Sequence, residues 1–296
     1  MPIRIVFHGE LTGLLNNRGL SPEATRDLSR AAPVKDLIES QGVPHTEVGR
    51  ITSEDLERSF SHVPAWGEIV EVHPHRPPVD VSIPSILFPE PFEEVGFVAD
   101  ANVARLGGLL RLAGFDCLLD PRWDDARIAE KAGGYKRILL TRDKELLKRN
   151  RVIRGRLVRS ERPWDQLAEV IHFFGLSDRI DLFSRCPKCN VLLEGTEKSA
   201  VIDQLEPLTR MMYDRFTRCP GCGQIYWSGS HHGRIREKLA AALEQASKDC
   251  PPPPPLETAA SPHSRSFNTP SRMSAAFIRC ASEITSGGRS LATLLW

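Results

Sequence analysis

The sequence predicts an α/β protein: a parallel sheet with helices on both faces, preceded by a small α+β β-grasp domain and followed by a zinc ribbon. Three observations carry this expectation. Apolar strand patterns alternate with amphipathic helix patterns over residues 95–175. A strand, a helix opened by proline and a late strand fill residues 1–92. Two Cys-x-x-Cys pairs, Cys186 with Cys189 and Cys219 with Cys222, lie beyond them.

A chain of 296 residues has room for more than one domain, taking about 150 residues per domain as a guide. Hydrophobic residues at 41% and charged residues at 26% lie in the range of soluble globular proteins. No run of about 18 apolar residues is present, so no membrane span is expected. The N-terminus lacks a signal-peptide pattern. Seven cysteines, an odd number, with four in close pairs, argue against a secreted disulfide framework. A cytoplasmic setting is therefore expected.

In the first part, residues 3–7 read as a strand. Residues 33–41 read as a helix, with Val34, Leu37 and Ile38 on one face and Gly42 as its stop. Residues 69–73 read as a closing strand, and a proline-rich connector follows. In the second part, strands are expected over residues 95–99, 115–119 and 137–141. Helices are expected over 103–113, 125–132, 143–150 and 164–174. The cysteine pairs and a final amphipathic helix, residues 233–245, make the third part. From about residue 248 the composition shifts to Pro, Ser, Thr and Arg, as in a disordered tail. The expected domains are thus 1–92, 93–178 and 179–247, with a tail over 248–296.

The formal net charge of +1 hides an asymmetry. Residues 1–92 hold thirteen acidic and eight basic side chains, whereas residues 136–162 hold eleven basic and three acidic. Such a basic run suits either a polyanion partner or a solvated surface.

Each cysteine pair can grip a metal ion from one tight turn, and two such knuckles supply the four ligands of a structural zinc site. A disulfide or a redox pair is the alternative, made less probable by the duplicated spacing. His231 and His232 lie close in sequence and could replace a ligand. Tyr226 and Trp227 suit either base stacking or the ribbon's own small core.

Open α/β sheets bind ligands at the carboxyl ends of their strands. Asp100 follows the first strand there, Asp143 follows the third, and Asp124 and Asp125 open the second helix. Convergent carboxylates suit Mg²⁺ or Mn²⁺, and such an ion can assist phosphodiester hydrolysis. Each of these aspartates also sits where a helix N-cap belongs. Thr141, Asn102 and Asp165 are candidate assistants.

The stretches Phe97–Asp100, Arg105–Asp116, Asp125–Ala132 and Arg137–Asp143 resemble the Mut-seven C-terminal PIN-like ribonuclease family. The run Cys219-Pro-Gly-Cys222-Gly-Gln-Ile-Tyr-Trp-Ser-Gly-Ser-His231 is similar to the zinc ribbon that ends many of its members. Residues 1–92 resemble the ubiquitin-like, sulfur-carrier-like module often placed in front. The chain continues past that module, so sulfur transfer through a terminal Gly-Gly is not expected. The resemblance implies a metal-dependent RNA endonuclease with Asp100, Asp125 and Asp143 holding Mg²⁺ or Mn²⁺. Arg142, Lys144, Lys148 and Arg149 would then steer the RNA backbone. The β-grasp part would be a surface for a protein partner. The rival expectation is a non-catalytic RNA-binding adaptor built on the zinc ribbon.

Overall fold

The computed structural model describes residues 2–16, 19–26 and 31–248. The tail expected beyond residue 248, and Cys250 and Cys280 with it, lie outside the described residues.

The first sheet has the order β2-β1-β5-β3-β4. It comprises β1 (Ile3–Phe7), β2 (Glu23–Arg26), β3 (Val48–Ser53), β4 (Leu56–Glu57) and β5 (Ile69–Pro74). Two helices join these strands, α1 (Leu11–Asn16) after β1 and α2 (Val34–Ser40) after β2. β1 runs parallel to β5 and antiparallel to β2. Ile3, Ile5, Phe7, Val70 and Val72 point inward while alternate residues face out, the period-2 pattern of a half-buried sheet. This is the β-grasp arrangement expected, with α1 as an added helix.

The second sheet is wholly parallel, with order β7-β6-β8-β9. Its strands are β6 (Gly96–Ala99), β7 (Asp116–Leu118), β8 (Ile138–Thr141) and β9 (Gly155–Leu157). The crossovers hold α3 (Ala104–Leu112), α4 (Asp125–Gly134) and α5 (Lys144–Leu147), and α6 (Pro163–Phe173) follows β9. Successive residues serve opposite faces. Val98 and Leu139 join the cluster under α4 and α5, whereas Phe97, Ala99, Ile138 and Leu140 join the one under α3 and α6.

Two expectations change here. The helix expected over 143–150 is a single turn, α5, and a fourth strand, β9, follows it. That strand reads as solvated because arginines flank and interrupt it, yet Arg154 and Arg156 are buried. The proline-rich connector is also packed rather than free. Val81, Leu87, Phe88 and Phe92 are buried, and the Val79 amide donates to the Phe173 carbonyl at 2.7 Å.

One apolar cluster runs without a break from Ile5, Val70 and Val72 of the first sheet to Ile128, Ala132, Leu139 and Leu147 of the second region. A buried ionic network closes the same seam. The Glu47 carboxylate, with no side-chain exposure, accepts from Arg156 at 3.0 Å, Arg159 at 3.1 Å and the Leu157 amide at 2.8 Å. Glu10 pairs with both arginines. Arg154 and Arg156 each lie 4.0 Å from an aromatic ring centre, that of Phe88 and of Phe173 respectively. Burying a carboxylate costs several kcal/mol, on the order of what its paired guanidinium groups return, so the network fixes the docking more than it adds stability.

The third sheet, β10 (Glu194–Thr196), β11 (Phe216–Arg218) and β12 (Ile225–Trp227), is antiparallel. Two short helices, α7 (Lys198–Val201) and α8 (Pro207–Met212), fill the long spacer between the cysteine pairs. The last helix, α9 (Ser230–Lys248), is longer at both ends than expected. It returns to pack Leu239 and Leu243 into the cluster under α6.

Candidate active site and metal centre

Asp100, Asn102, Thr141 and Asp143 meet at the carboxyl ends of β6 and β8. Thr141 Oγ1 donates to Asp100 Oδ2 at 2.7 Å, and Asn102 Nδ2 donates to the same oxygen at 2.6 Å. The Ala101 amide donates to Asp100 Oδ1 at 2.6 Å. Thr141 Oγ1 in turn accepts from the Asp143 amide at 3.0 Å, and Asn102 Oδ1 from the Arg142 amide at 3.2 Å. Thr141 is fully buried and anchors both loops. Asp143 caps α5 through the Glu145 amide at 2.8 Å, so the capping expectation holds alongside the site geometry.

Asp125 is not drawn into this network. It is half exposed and pairs with Arg149 at 3.1 Å. Asp124 caps α4 through the Arg127 amide at 2.8 Å. Among the described residues, Asp100, Asp125 and Asp143 do not form a group whose ligand atoms all lie within 4.8 Å of one another. Thr141 instead links the Asp100 carboxylate to the Asp143 backbone amide, which places both aspartates at one end of the sheet. Asp165 lies apart, in a groove of about 640 Å³ between α6 and α9.

Asp120 was not singled out by sequence. The Val98–Leu118 register brings the chain out at Asp120 on the same end of the sheet as Asp100. Its carboxylate takes two hydrogen bonds from the Arg122 side chain, at 3.0 and 2.8 Å, which with the Arg122 amide hold its pKa down to about 2. Its position directly past a strand end was the signal available.

The four expected basic residues flank the network in different ways. Arg142 is exposed. Lys144 Nζ donates to the Leu14 carbonyl of α1 at 3.2 Å. Lys148 pairs with Glu145 at 2.8 Å, and Arg149 with Asp125.

The cysteine pairs form two equivalent knuckles. In the first, the Cys186 amide donates to the Val191 carbonyl at 2.8 Å, and the Asn190 amide to the Cys186 carbonyl at 2.9 Å. In the second, the Cys219 amide donates to Gln224 and the Gly223 amide to Cys219, both at 2.9 Å. Asn190 (φ 65°) and Gly223 (φ 73°) occupy the same left-handed position, which these two residue types tolerate best. The four thiols lie within 4.8 Å of one another, with Cys186 and Cys222 sulfurs 3.8 Å apart. Zn–S bonds of about 2.3 Å in a tetrahedron put sulfurs about 3.8 Å apart, so the thiols fit a closed tetrathiolate centre. Burial opposes a Cys186 thiolate, but the Tyr226 hydroxyl at 3.2 Å and the Lys188 and Cys189 amides outweigh it and hold the pKa near 6. Tyr226 thus serves the cluster, and Trp227 packs beside Phe216 and Tyr213 in the ribbon's core. His232 stacks on Phe183 at 3.5 Å and takes no part in the thiol group. The His231 side chain lies outside the described residues.

The first knuckle is clamped to the edge strand β7. Asn190 Oδ1 accepts from the Cys117 amide at 3.1 Å. Arg111 donates to the Cys117 carbonyl at 2.8 Å and to the carbonyls of Pro187 and Lys188. An edge that would otherwise expose unpaired backbone is thereby covered. Cys117 itself is sealed off, its thiol pKa pushed up to about 12 by burial.

Comparison with known proteins decides the family. The Mut7-C RNAse domain matches residues 95–239, and the Mut7-C ubiquitin domain matches residues 1–80. The chain belongs to the Mut7-C family. Its Mut7-C RNAse domain covers the parallel sheet, the Asp100 network and the four cysteines. A human relative, an exonuclease mut-7 homolog, is 43% identical over 47 residues, 16% of this chain and 5% of that protein. No solved structure matches the chain. A nuclease-family domain and a ubiquitin-like module therefore stand in one chain. No helix among the described residues is long and apolar enough to cross a membrane.

Proposed function

We propose that this Mut7-C protein is a metal-dependent RNA endonuclease whose reaction centre is Asp100 with Asp143. The observation that carries the reading is the Asp100–Thr141–Asn102–Asp143 network at the strand ends of a Mut7-C RNAse domain. Asp100 and Asp143 would hold Mg²⁺ or Mn²⁺, which when bound supplies a Lewis acid for the phosphodiester and lowers the pKa of attacking water. Thr141 and Asn102 orient the Asp100 carboxylate, and Thr141 holds the Asp143 backbone in step with it. Asp125 acts from the next helix, released from Arg149 when an anionic strand competes for that guanidinium. Arg142, Lys144, Lys148 and Arg149 neutralise phosphates, which predicts salt-sensitive binding. The tetrathiolate centre holds Zn²⁺ in a structural role, since four thiolates leave no open position. The domains are read as 1–92, 93–178 and 179–247, in a reducing cytoplasmic setting, with a protein partner meeting the β-grasp part.

One observation favours the second reading, an RNA-binding adaptor without chemistry. Each aspartate has a bland engagement: Asp100 and Asp143 cap helices and Asp125 pairs with Arg149. Closed circular RNA separates the readings and also separates endonuclease from exonuclease action. Incubation in Mn²⁺, Mg²⁺ or EDTA is expected to linearise circles only with the metals. Intact circles, with linear RNA trimmed from one end, would mean an exonuclease. Retained RNA binding with no cleavage of either would mean an adaptor.

A further inference from the structure

A second cluster of metal-ligating side chains stands on the solvent face of the first sheet and shares no residue with the nuclease network or the cysteines. His8 follows β1, and Glu71 and His73 lie on the same face of β5. The Phe7–Val72 register sets His8 beside His73, and the His8 amide donates to the Val72 carbonyl at 2.9 Å. One ring nitrogen of each histidine and one Glu71 oxygen all lie within 4.8 Å of one another. The two imidazoles stack with centres 4.4 Å apart and planes within 9°.

Glu71 Oε2 accepts a long hydrogen bond from Thr52 Oγ1 at 3.5 Å, but one nitrogen of each ring is not used by the protein. Nε2 of His8 and Nε2 of His73 are buried and have no hydrogen-bond partner among the described residues. The Glu71 oxygen is 3.8 Å from His73 Nε2, too far for a hydrogen bond. Buried polar atoms normally find a partner, so two adjacent vacant ring nitrogens beside a carboxylate ask for a donor-free cation. Gly9 (φ 55°) turns the chain against Pro74 directly after His8 and fixes where that ring sits.

We infer that His8, Glu71 and His73 form a three-ligand site for a divalent zinc-class ion, with water in the fourth position. Two imidazoles and a carboxylate are the donor set of open zinc sites. Metal–nitrogen bonds of about 2.0–2.1 Å require the nearly parallel rings to tilt toward each other on binding. Both histidines are half-buried rather than sealed in the core. Arg50 and Arg76 are the neighbouring cations, and they moderate the affinity relative to the thiol centre.

The test is calorimetric titration of Zn²⁺ into the full chain already carrying one equivalent at its cysteines. One further, weaker equivalent is expected. His8→Gln, His73→Gln and the surface change Glu71→Gln should each weaken it by at least about 100-fold, the upper end of what losing even an outer-shell partner costs. Thermal melting of each variant checks that it is folded. The Asp100→Asn chain is titrated in parallel, so that an ion taken by the nuclease carboxylates is told apart. Saturation at one zinc per chain would overturn the inference. So would a second equivalent that survives in the folded Glu71→Gln chain.

Discussion

The basic stretch from Arg142 to Arg159 contains two regions of nearly the same composition and opposite fates. Arg154, Arg156 and Arg159 turn inward, where Glu10 and Glu47 of the first part, Phe88 of the connector and Phe173 of α6 receive them. Arg142, Lys144, Lys148 and Arg149 stay at the strand ends beside Asp143, partly solvated, with Lys144 on the Leu14 carbonyl, Lys148 on Glu145 and Arg149 on Asp125. The first group is structural because Glu47, at the centre of its ion pairs, is fully buried, and Arg154 and Arg156 are buried near it. The second keeps its charge at the surface, where a polyanion can compete for it. Charge density along the chain therefore says little about use; burial of the partner decides.

Breaking the buried half should give the largest effect. Arg156→Ala leaves Glu47 in an apolar seam with one guanidinium fewer, and the loss expected is about 3–5 kcal/mol by denaturant titration. RNA affinity of the chains that remain folded should not change. Acid should act on the same seam. Burial raises the Glu10 pKa, but Arg156 and Arg159 more than offset this and hold it below its ordinary 4.5. Its stabilisation is therefore complete above that value and is lost as pH falls through the lower folded-state pKa. Glu47, whose pKa burial raises, acts in the opposite sense, so the Glu10 contribution is read as the difference between the melting curves of the parent and Glu10→Gln below about pH 4.5, where the parent should lose more stability.

The exposed half should respond in binding rather than stability. Arg142→Ala should weaken RNA of every sequence alike and lower the salt slope of binding by about one. Its melting should stay within about 0.5 kcal/mol of the parent. Arg149→Ala should cost no more than about 1 kcal/mol, because an exposed pair with Asp125 is worth little. Its effect on stability should stay well below that of Arg156→Ala.

Much of this was legible in the sequence for local reasons. The βαβαβα order follows from apolar periodicity, and the knuckles from a repeated four-residue spacing with Asn190 and Gly223 at matching places. Asp100 and Asp143 stand out because they end buried strands. What escaped detection depends on distant partners. β9 is hidden by arginines whose carboxylates lie more than a hundred residues away. The role of Asn190 in covering β7 needs a contact 73 residues distant. The continuity of the core between the two sheets is invisible for the same reason. It means that point substitutions, not removal of residues 1–92, are the clean way to separate the two parts.

The most direct test of the nuclease account is the initial rate of circular-RNA cleavage in Mn²⁺ by the parent chain and by Asp100→Asn, at matched melting temperatures. The account predicts metal-dependent opening of the circle by the parent and a fall of at least about 100-fold in the variant, as expected when a reaction centre loses a charged group. Equal rates in the two chains, or no metal-dependent cleavage by either, would contradict it.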